Sequence, residues 1–326
     1  MRTTWRLLGM LTMTAPLALT AASAVAQSYP DKPIRLVVPF APGGSNDVIG
    51  RVVAEKLGQN LGVPVVVENR PGVGGVLGSD IVAKAEPNGY TLLMGATSTM
   101  AVNPNLYTNM PFDPLKDLTS ITQIASGPFL MAVPASLPVG SVQDFIALAK
   151  AKPDTLNFGS SGNGTSLHLT AELFKMMAGI DIMHVPYKGA GPALIDLISG
   201  KIHVIFSDMA ALSPYMKSGQ LKALAVTSAQ PAPAAPGLPT IASSGVPGYE
   251  ATSWYGLLGP AGMPPEIVSK LGKALADVVN APAMRTRFFE MGIEPAAGTP
   301  QQFTELMRSE IEKWGKVVKA SGAKVE

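Results

Sequence analysis

Three histidines, no cysteine and three glycine-rich turns bearing serine, threonine and tyrosine bound the chemistry open to this chain. His168, His184 and His203 form no pair with metal-ligand spacing on a helix or strand, so neither a metal nor a cofactor is expected. The turn Phe158-Gly-Ser-Ser-Gly-Asn-Gly-Thr-Ser-Leu-His168 lies between an apolar run and a helical pattern. Gly159 and Gly164 have the spacing of a phosphate-binding loop. Thr165, however, stands where the lysine belongs, which leaves the cradle without the nucleotide's counter-charge. The turn also misses a serine-nucleophile elbow, because Asn163 occupies a position that needs glycine. Glu172, four residues after His168, offers a helix-face contact, and nothing in the sequence places a histidine and an acid to activate Ser160 or Ser161. What remains is the hydroxyls of Ser160, Ser161, Thr165 and Ser166 with the main-chain N–H groups of a helix start, a set suited to a carboxylate.

The turn Val38-Pro-Phe-Ala-Pro-Gly-Gly-Ser-Asn-Asp47 repeats the theme nearer the start of the chain. Gly43 and Gly44 let main-chain N–H groups approach a ligand where a helix begins, and such a place holds an anion. An ordinary strand-to-helix turn is the competing reading. Asp47 would repel a bound anion, so it is read as orienting the loop through backbone N–H groups. A third turn, Pro186-Tyr-Lys-Gly-Ala-Gly-Pro192, offers the ring and hydroxyl of Tyr187. Thr97 and Ser98 follow a strand end. Asp208 ends an apolar strand at the carboxyl edge, where open α/β sheets bind ligands. It either caps the helix beginning at Met209 or receives a ligand ammonium or hydroxyl. Gly72-x-Gly74-Gly75 resembles a dinucleotide fingerprint, but Leu77 replaces its third glycine and it follows the second strand, so it reads as a structural turn.

Alternating apolar periods place these turns. Strands are expected at 34–38, 65–68 and 91–94 with helices at 46–61 and 76–85 between them, a β-α-β-α-β parallel unit. Asn103-Pro-Asn and Pro111-Phe-Asp-Pro mark loops, and the unusually long extended run 121–133 reads as a crossing between lobes. A second α/β series follows: a helix behind the Ser141-x-x-Asp144 capping signature, strands at 156–158, 182–185, 204–206 and 221–227, and helices at 165–178, 192–199 and 213–217. Residues 230–248 are loop, 254–258 a returning strand, and helices at 264–280, 283–291 and 300–318 close the chain. Packing these last helices on the first unit gives two crossings and a cleft. The expected division is residues 27–126 with 253–326 in one lobe and 127–252 in the other.

Residues 1–26 read as a secretory leader: Arg2 and Arg6 precede an apolar stretch at 7–19 that is short for a membrane span, and Ala24-Val25-Ala26 supplies the cleavage pattern. Removing those two arginines from 25 Lys+Arg leaves 23 against 23 Asp+Glu. A neutral mature chain argues against nucleic acid or a charged membrane surface as partner. An exported chain without cysteine is held by its core alone.

Taken together, Tyr29-Pro-x-Lys32-Pro-Ile-Arg, Pro39-Phe-Ala-Pro-Gly-Gly-x-x-Asp47, Glu68-Asn-Arg-Pro-Gly, Pro87-x-Gly-Tyr90-Thr-Leu, Pro186-Tyr-Lys-Gly and Gly189-x-Gly-Pro-Ala193 give the chain a specific likeness. It resembles the Bug family, the extracytoplasmic solute receptors of tripartite tricarboxylate transporters, over essentially its whole mature length. The resemblance implies a periplasmic, monomeric, non-enzymatic α/β protein of the two-lobed type II or Venus-flytrap fold, with two doubly wound sheets joined by crossing strands. It implies closure on a carboxylated small molecule, a di- or tricarboxylate or related acid, and delivery to membrane permease subunits. It assigns the grip to the loops from Phe40 through Pro42 to Asp47 and from Ser160 to Ser166; Gly189 in the third turn is a further candidate contact. The second loop and the surroundings of Asp208 vary with ligand in such receptors.

Magnitudes allow binding without an arginine clamp. Four or five charge-assisted hydrogen bonds at about 1.5–3 kcal/mol each give roughly 6–15 kcal/mol before costs, and micromolar affinity needs about 8 kcal/mol. Closure and desolvation consume part of this, so both ends of the ligand must be held. Competing readings are an exported serine hydrolase and a sensor that hands its liganded surface to a signalling protein.

Overall fold

The computed structural model describes residues 29–153 and 155–323, so the leader expected at 1–26 lies outside the described residues. The first unit runs β1 (Ile34–Val38), α1 (Ser45–Leu61), β2 (Val65–Asn69), α2 (Val76–Ala83) and β3 (Thr91–Ala96). β1 pairs in parallel with β2 on one side, Ile34 opposite Val65, and with β3 on the other, Arg35 opposite Thr91. This is the geometry that crossover helices impose. α1 ends at Gly62 in the left-handed conformation, φ 74°, with its N–H returning to the Gly58 carbonyl.

Residues 98–106 depart from the loop expected there. A wide helical turn at Ser98–Val102 continues into α3 (Asn103–Leu106). Pro104 is compatible because it sits in the first turn, where its missing N–H has no intrahelical partner. Met100, Ala101 and Val102 are buried, and the Asn105 amide donates to the Ile311 carbonyl at 2.9 Å, so distant packing makes this segment helical.

β4 (Leu118–Pro134) is the expected long crossing. Its first part pairs antiparallel with β9 and β10, and its last part with β7 and β8. The second series comprises α4 (Val142–Ala151), β5 (Asn157–Ser160), α5 (Ser166–Ala178), β6 (Met183–Pro186), α6 (Ala190–Ile198), β7 (Val204–Asp208), α7 (Met209–Lys217) and β8 (Leu221–Val226). Ser141 caps α4, its hydroxyl accepting from the Asp144 N–H at 3.0 Å. The chain returns through β9 (Thr252–Pro260), followed by α8 (Pro265–Asn280), α9 (Pro282–Glu290), β10 (Glu294–Pro295) and α10 (Pro300–Ser321). A reciprocal Thr299–Gln302 capping box starts α10, which buries Phe303, Met307, Trp314, Val317 and Val318.

The strand order β2-β1-β3-β9-β4-β7-β5-β6 is one hydrogen-bonded path that passes through β4. The two sheets therefore share a strand rather than standing apart. Apolar side chains from both sheets, from α5 and from α10 join in one core that includes Phe158, Phe174, Trp254, Phe303 and Trp314. The cleft lies where β4 and β9 carry the chain between the sheets.

Candidate functional site

A cavity of about 390 Å³ opens between the starts of α1 and α5 and the ends of β3 and β7. One wall is Phe40, Gly44, Ser45 and Asn46, with Ala96, Thr97 and Ser98 beside them; the facing wall is Ser161 and residues 163–167. Asp208 and Tyr255 close the floor between them. Among the described residues, the wall holds no lysine, arginine or histidine.

The first loop is held by a buried carboxylate. Asp47 is 3% exposed, and its Oδ2 accepts from the Gly43 N–H at 2.8 Å and from Arg51 Nε at 3.0 Å. Its Oδ1 accepts from Asn69 Nδ2 at 2.8 Å and lies 2.9 Å from Arg51 Nη2. Asn69 also donates to the Phe40 carbonyl at 3.0 Å and accepts from Arg51, which ties the end of β2 to the loop. Desolvation favours the protonated acid, but the Arg51 guanidinium, the Gly43 N–H and the Asn69 amide together outweigh it and hold the Asp47 pKa down to about 2. Asp47 thus orients the loop and leaves the cavity wall to others.

That scaffold corrects the expectation for Gly43. Its φ of +90° suits glycine, but its N–H is spent on Asp47, and neither Gly43 nor the exposed Pro42 lines the cavity. The wall is instead formed one to three residues later. Gly44 is the extended N-cap of α1 with no side-chain cap bond, so the first-turn N–H groups at Ser45 and Asn46 have no intrahelical acceptor. Thr97 and Ser98 take their expected places, and the Thr97 hydroxyl accepts from the Trp254 N–H at 2.9 Å, fastening β3 to β9.

On the facing wall Ser161, Gly164, Thr165 and Ser166 all line the cavity. The Gly164 N–H points inward to His168 Nδ1 at 3.1 Å, and Thr165 caps α5 while donating to the Gly162 carbonyl at 2.8 Å. Ser161 and Ser166 line the cavity, and among the described residues their hydroxyls make no hydrogen bond.

Three further expectations are corrected here. Ser160 is fully buried off the cavity wall, its Oγ 2.7 Å from His184 Nε2 and accepting from the Gly162 N–H at 3.1 Å. Tyr187 turns away, its hydroxyl donating to Asp196 at 2.8 Å in a pair that Lys201 joins. Gly189, at φ +104°, uses its N–H to bind the Ser161 carbonyl at 3.3 Å, and Ala190 rather than Gly189 reaches the wall.

The Ser160–His184 contact is a pairing for which spacing along the chain holds no signal. His184 stacks on His168 with centroids 3.8 Å apart and on Phe158 at 4.7 Å, and His168 Nε2 lies 3.7 Å from Glu172. Desolvation, then the neighbouring His168, pushes the His184 pKa down to about 4, which makes it a weak base at neutral pH. With Ser160 facing the core, this group braces the second loop.

The cavity also contains residues that spacing alone did not single out. Asn46 and Asn163 belong to loops already recognised, so adjacency was the available signal. Asn103, Leu106 and Tyr107 arrive through the helical segment after β3, where Asn103 Nδ2 donates to the Gly74 carbonyl at 3.0 Å. Gly74 lies at the cavity edge, while Gly72, Gly74 and Gly75 at φ +145°, +62° and +92° form the turn read as structural. Phe129, Ser253 and Tyr255 come from the crossing strands.

Asp208 occupies the N-cap position of α7, yet its side chain makes no capping bond. It is half-buried on the cavity floor across from Tyr255. Desolvation pushes its pKa up to about 6.

Residues 49–323 match the tripartite tricarboxylate transporter family receptor. The chain is 36% identical to the protein BugT of Bordetella pertussis over 322 residues, 98% of this chain and 99% of that one. Among solved structures it is similar to R. palustris Rpa4515 with adipate, at 39% identity and TM-score 0.81, covering 91% of this chain and all of that one. It is also similar to MatC from Rhodopseudomonas palustris with bound malate, at 29% identity and TM-score 0.76, covering 89% and 100% respectively.

Proposed function

This chain belongs to the tripartite tricarboxylate transporter receptor family, and from that premise we propose that it is a periplasmic receptor that traps a small carboxylate in its interlobe cavity and presents it to membrane permease subunits. The observation that carries this reading is the meeting of two uncapped or hydroxyl-rich helix starts across a cavity that, among the described residues, has no basic side chain. Helix N-termini and neutral donors bind an anion by orientation, and the enclosed setting strengthens each bond relative to water. Gly44, Ser45 and Asn46 on one side and Ser161 and Ser166 on the other are the residues proposed to grip it, with Phe40, Thr97, Ser98 and Thr165, whose donors are taken by Gly162, completing the enclosure. The moving units divide near residues 126 and 252. Adipate and malate, held by the similar R. palustris proteins, support an organic acid as ligand.

The test is a thermal-shift screen of mono-, di- and tricarboxylates. Ligand at a hundredfold excess over Kd stabilises by about 2.7 kcal/mol, and for a chain of about 300 residues this raises Tm by roughly 4 °C. The acid should be recovered unaltered after incubation. A screen in which no acid shifts Tm would remove the reading. The Ser160–His184 contact is the one feature that favours hydrolysis, but Ser160 lies off the cavity wall. Turnover abolished by Ser160→Ala would reinstate that alternative.

A further inference from the structure

Asp208 is the one charged side chain on the cavity wall among the described residues, and it is an acid. This is the reverse of what a dicarboxylate trap should place there. The walls around it already supply donors: the N–H groups at the start of α1, the hydroxyls of Ser98, Ser161 and Ser166, and the amides of Asn46 and Asn163. Among the described residues nothing consumes the Asp208 carboxylate. It does not cap α7, and no side chain or backbone N–H outside its own residue bonds it.

Among the described residues, the cavity lining around it supplies no cation. Phe129 on β4 stands opposite it in the strand register, and β9 contributes Tyr255 and Ser253. Tyr255 stays protonated, its pKa raised first by desolvation and then by Asp208 itself. A half-buried acceptor that faces the cavity bonds whatever occupies it, and a ligand that displaces its water must replace those bonds. A second ligand carboxylate beside it would place two like charges together in a poorly hydrated site.

Resting on the receptor reading above, we propose that Asp208 determines specificity at the far end of the ligand. The ligand is a carboxylate whose other end donates a hydrogen bond, through a hydroxyl or an ammonium, rather than a second ionised carboxylate. The helix starts take the acid end and Asp208 takes the donor. A site built around an acceptor that the bound ligand must satisfy discriminates strongly against ligands that leave it unpaired. A plain diacid enters only if Asp208 first takes up a proton, and that proton comes from solvent.

The experiment is calorimetric titration at pH 8 with matched four-carbon and six-carbon series: succinate, γ-hydroxybutyrate and γ-aminobutyrate, then adipate, ε-hydroxyhexanoate and ε-aminohexanoate. In the native protein the donor-ended acid of at least one series should bind about tenfold or more tighter than its diacid. In Asp208→Asn the ammonium-ended acid should lose about tenfold and the diacid should gain. The hydroxyl-ended acid should lose less, which distinguishes the two donors. Asp208→Ser serves as a second variant. The native protein gives a readout independent of either: diacid affinity should rise up to tenfold per unit as pH falls from 8 towards 6, while ammonium-acid affinity does not rise and falls by about twofold at most. Diacids that bind the native protein more tightly than both partners, with no pH dependence and no change in the variants, would overturn the role of Asp208 and leave the receptor reading standing. Failure of all six acids to bind would overturn both.

Discussion

Replacing Asp47 by asparagine probes the scaffold of the first loop without changing its size. Asp47 receives two donors on each oxygen: Gly43 N–H and Arg51 Nε on Oδ2, Asn69 Nδ2 and Arg51 Nη2 near Oδ1. An asparagine offers one oxygen. Whichever way its amide turns, an NH2 group confronts two N–H donors. Two charge-assisted bonds at about 1.5–3 kcal/mol each are lost, and the half-exposed Arg51 recovers part of this from water. A net loss of about 2–4 kcal/mol remains. With an unfolding entropy of roughly 2.1 cal/mol/K per residue over about 300 residues, Tm should fall by about 3–6 °C. The pH dependence supplies a second check. The Asp47 pKa is depressed from 3.8 to about 2, so its contribution is fully present above 3.8 and is lost as pH falls through 2. Denaturant melts of the native protein and Asp47→Asn should therefore differ by a constant amount between pH 5 and 8 and converge between pH 4 and 2. Ligand affinity should fall by about tenfold or more, because the main chain at Gly44 and Asn46 moves off its geometry. Equal Tm values at pH 7, or a difference undiminished at pH 2, would refute the scaffold.

Other perturbations follow from the same contacts. Gly256→Ala would place a Cβ 2.0 Å from Phe303 Cζ in the core where Trp254 and Phe303 meet edge to face, and should cost about 1–3 kcal/mol or more in a denaturant melt; an unchanged midpoint would mean that α10 repacks freely. His184 is held neutral, with its pKa depressed from 6.5 to about 4, so the unfolded chain takes up this proton first and stability should decline as pH falls from 6.5 towards 4. His184→Phe should flatten that slope, and an identical slope in the variant would assign it to other groups. Gly43→Val should reduce binding through strain at φ +90° rather than by blocking the cavity, since nothing lies within 4 Å of its Cβ position. Gly43→Ala should then weaken binding nearly as much, whereas a selective effect of the larger side chain would restore the blocking account.

Local periodicity and turn chemistry determined a large part of this molecule. Strands β1 to β3, the long crossing β4, the second α/β series and the three closing helices follow from apolar spacing, which acts between residues close in sequence. The Ser141 cap and the anchoring of the first loop by Asp47 were legible for the same reason, since each needs only a partner four residues away or fewer. Spacing could not say which donors remain free. Gly43 and Gly164 carry the sequence signature of anion-binding turns, yet their N–H groups are taken by Asp47 and His168, and Ser160 is taken by His184 from another strand. The helical segment at 98–106 was hidden for a related reason: its stability comes from contacts with α10, two hundred residues away. The opposition of Asp208 to Tyr255 likewise exists only because β4 and β9 carry the chain back between sheets. Hydrogen-bond satisfaction is decided by whichever groups the fold brings within 3 Å or so. The sequence therefore specified where the cavity's loops would be, and the tertiary structure decided which of their atoms face a ligand.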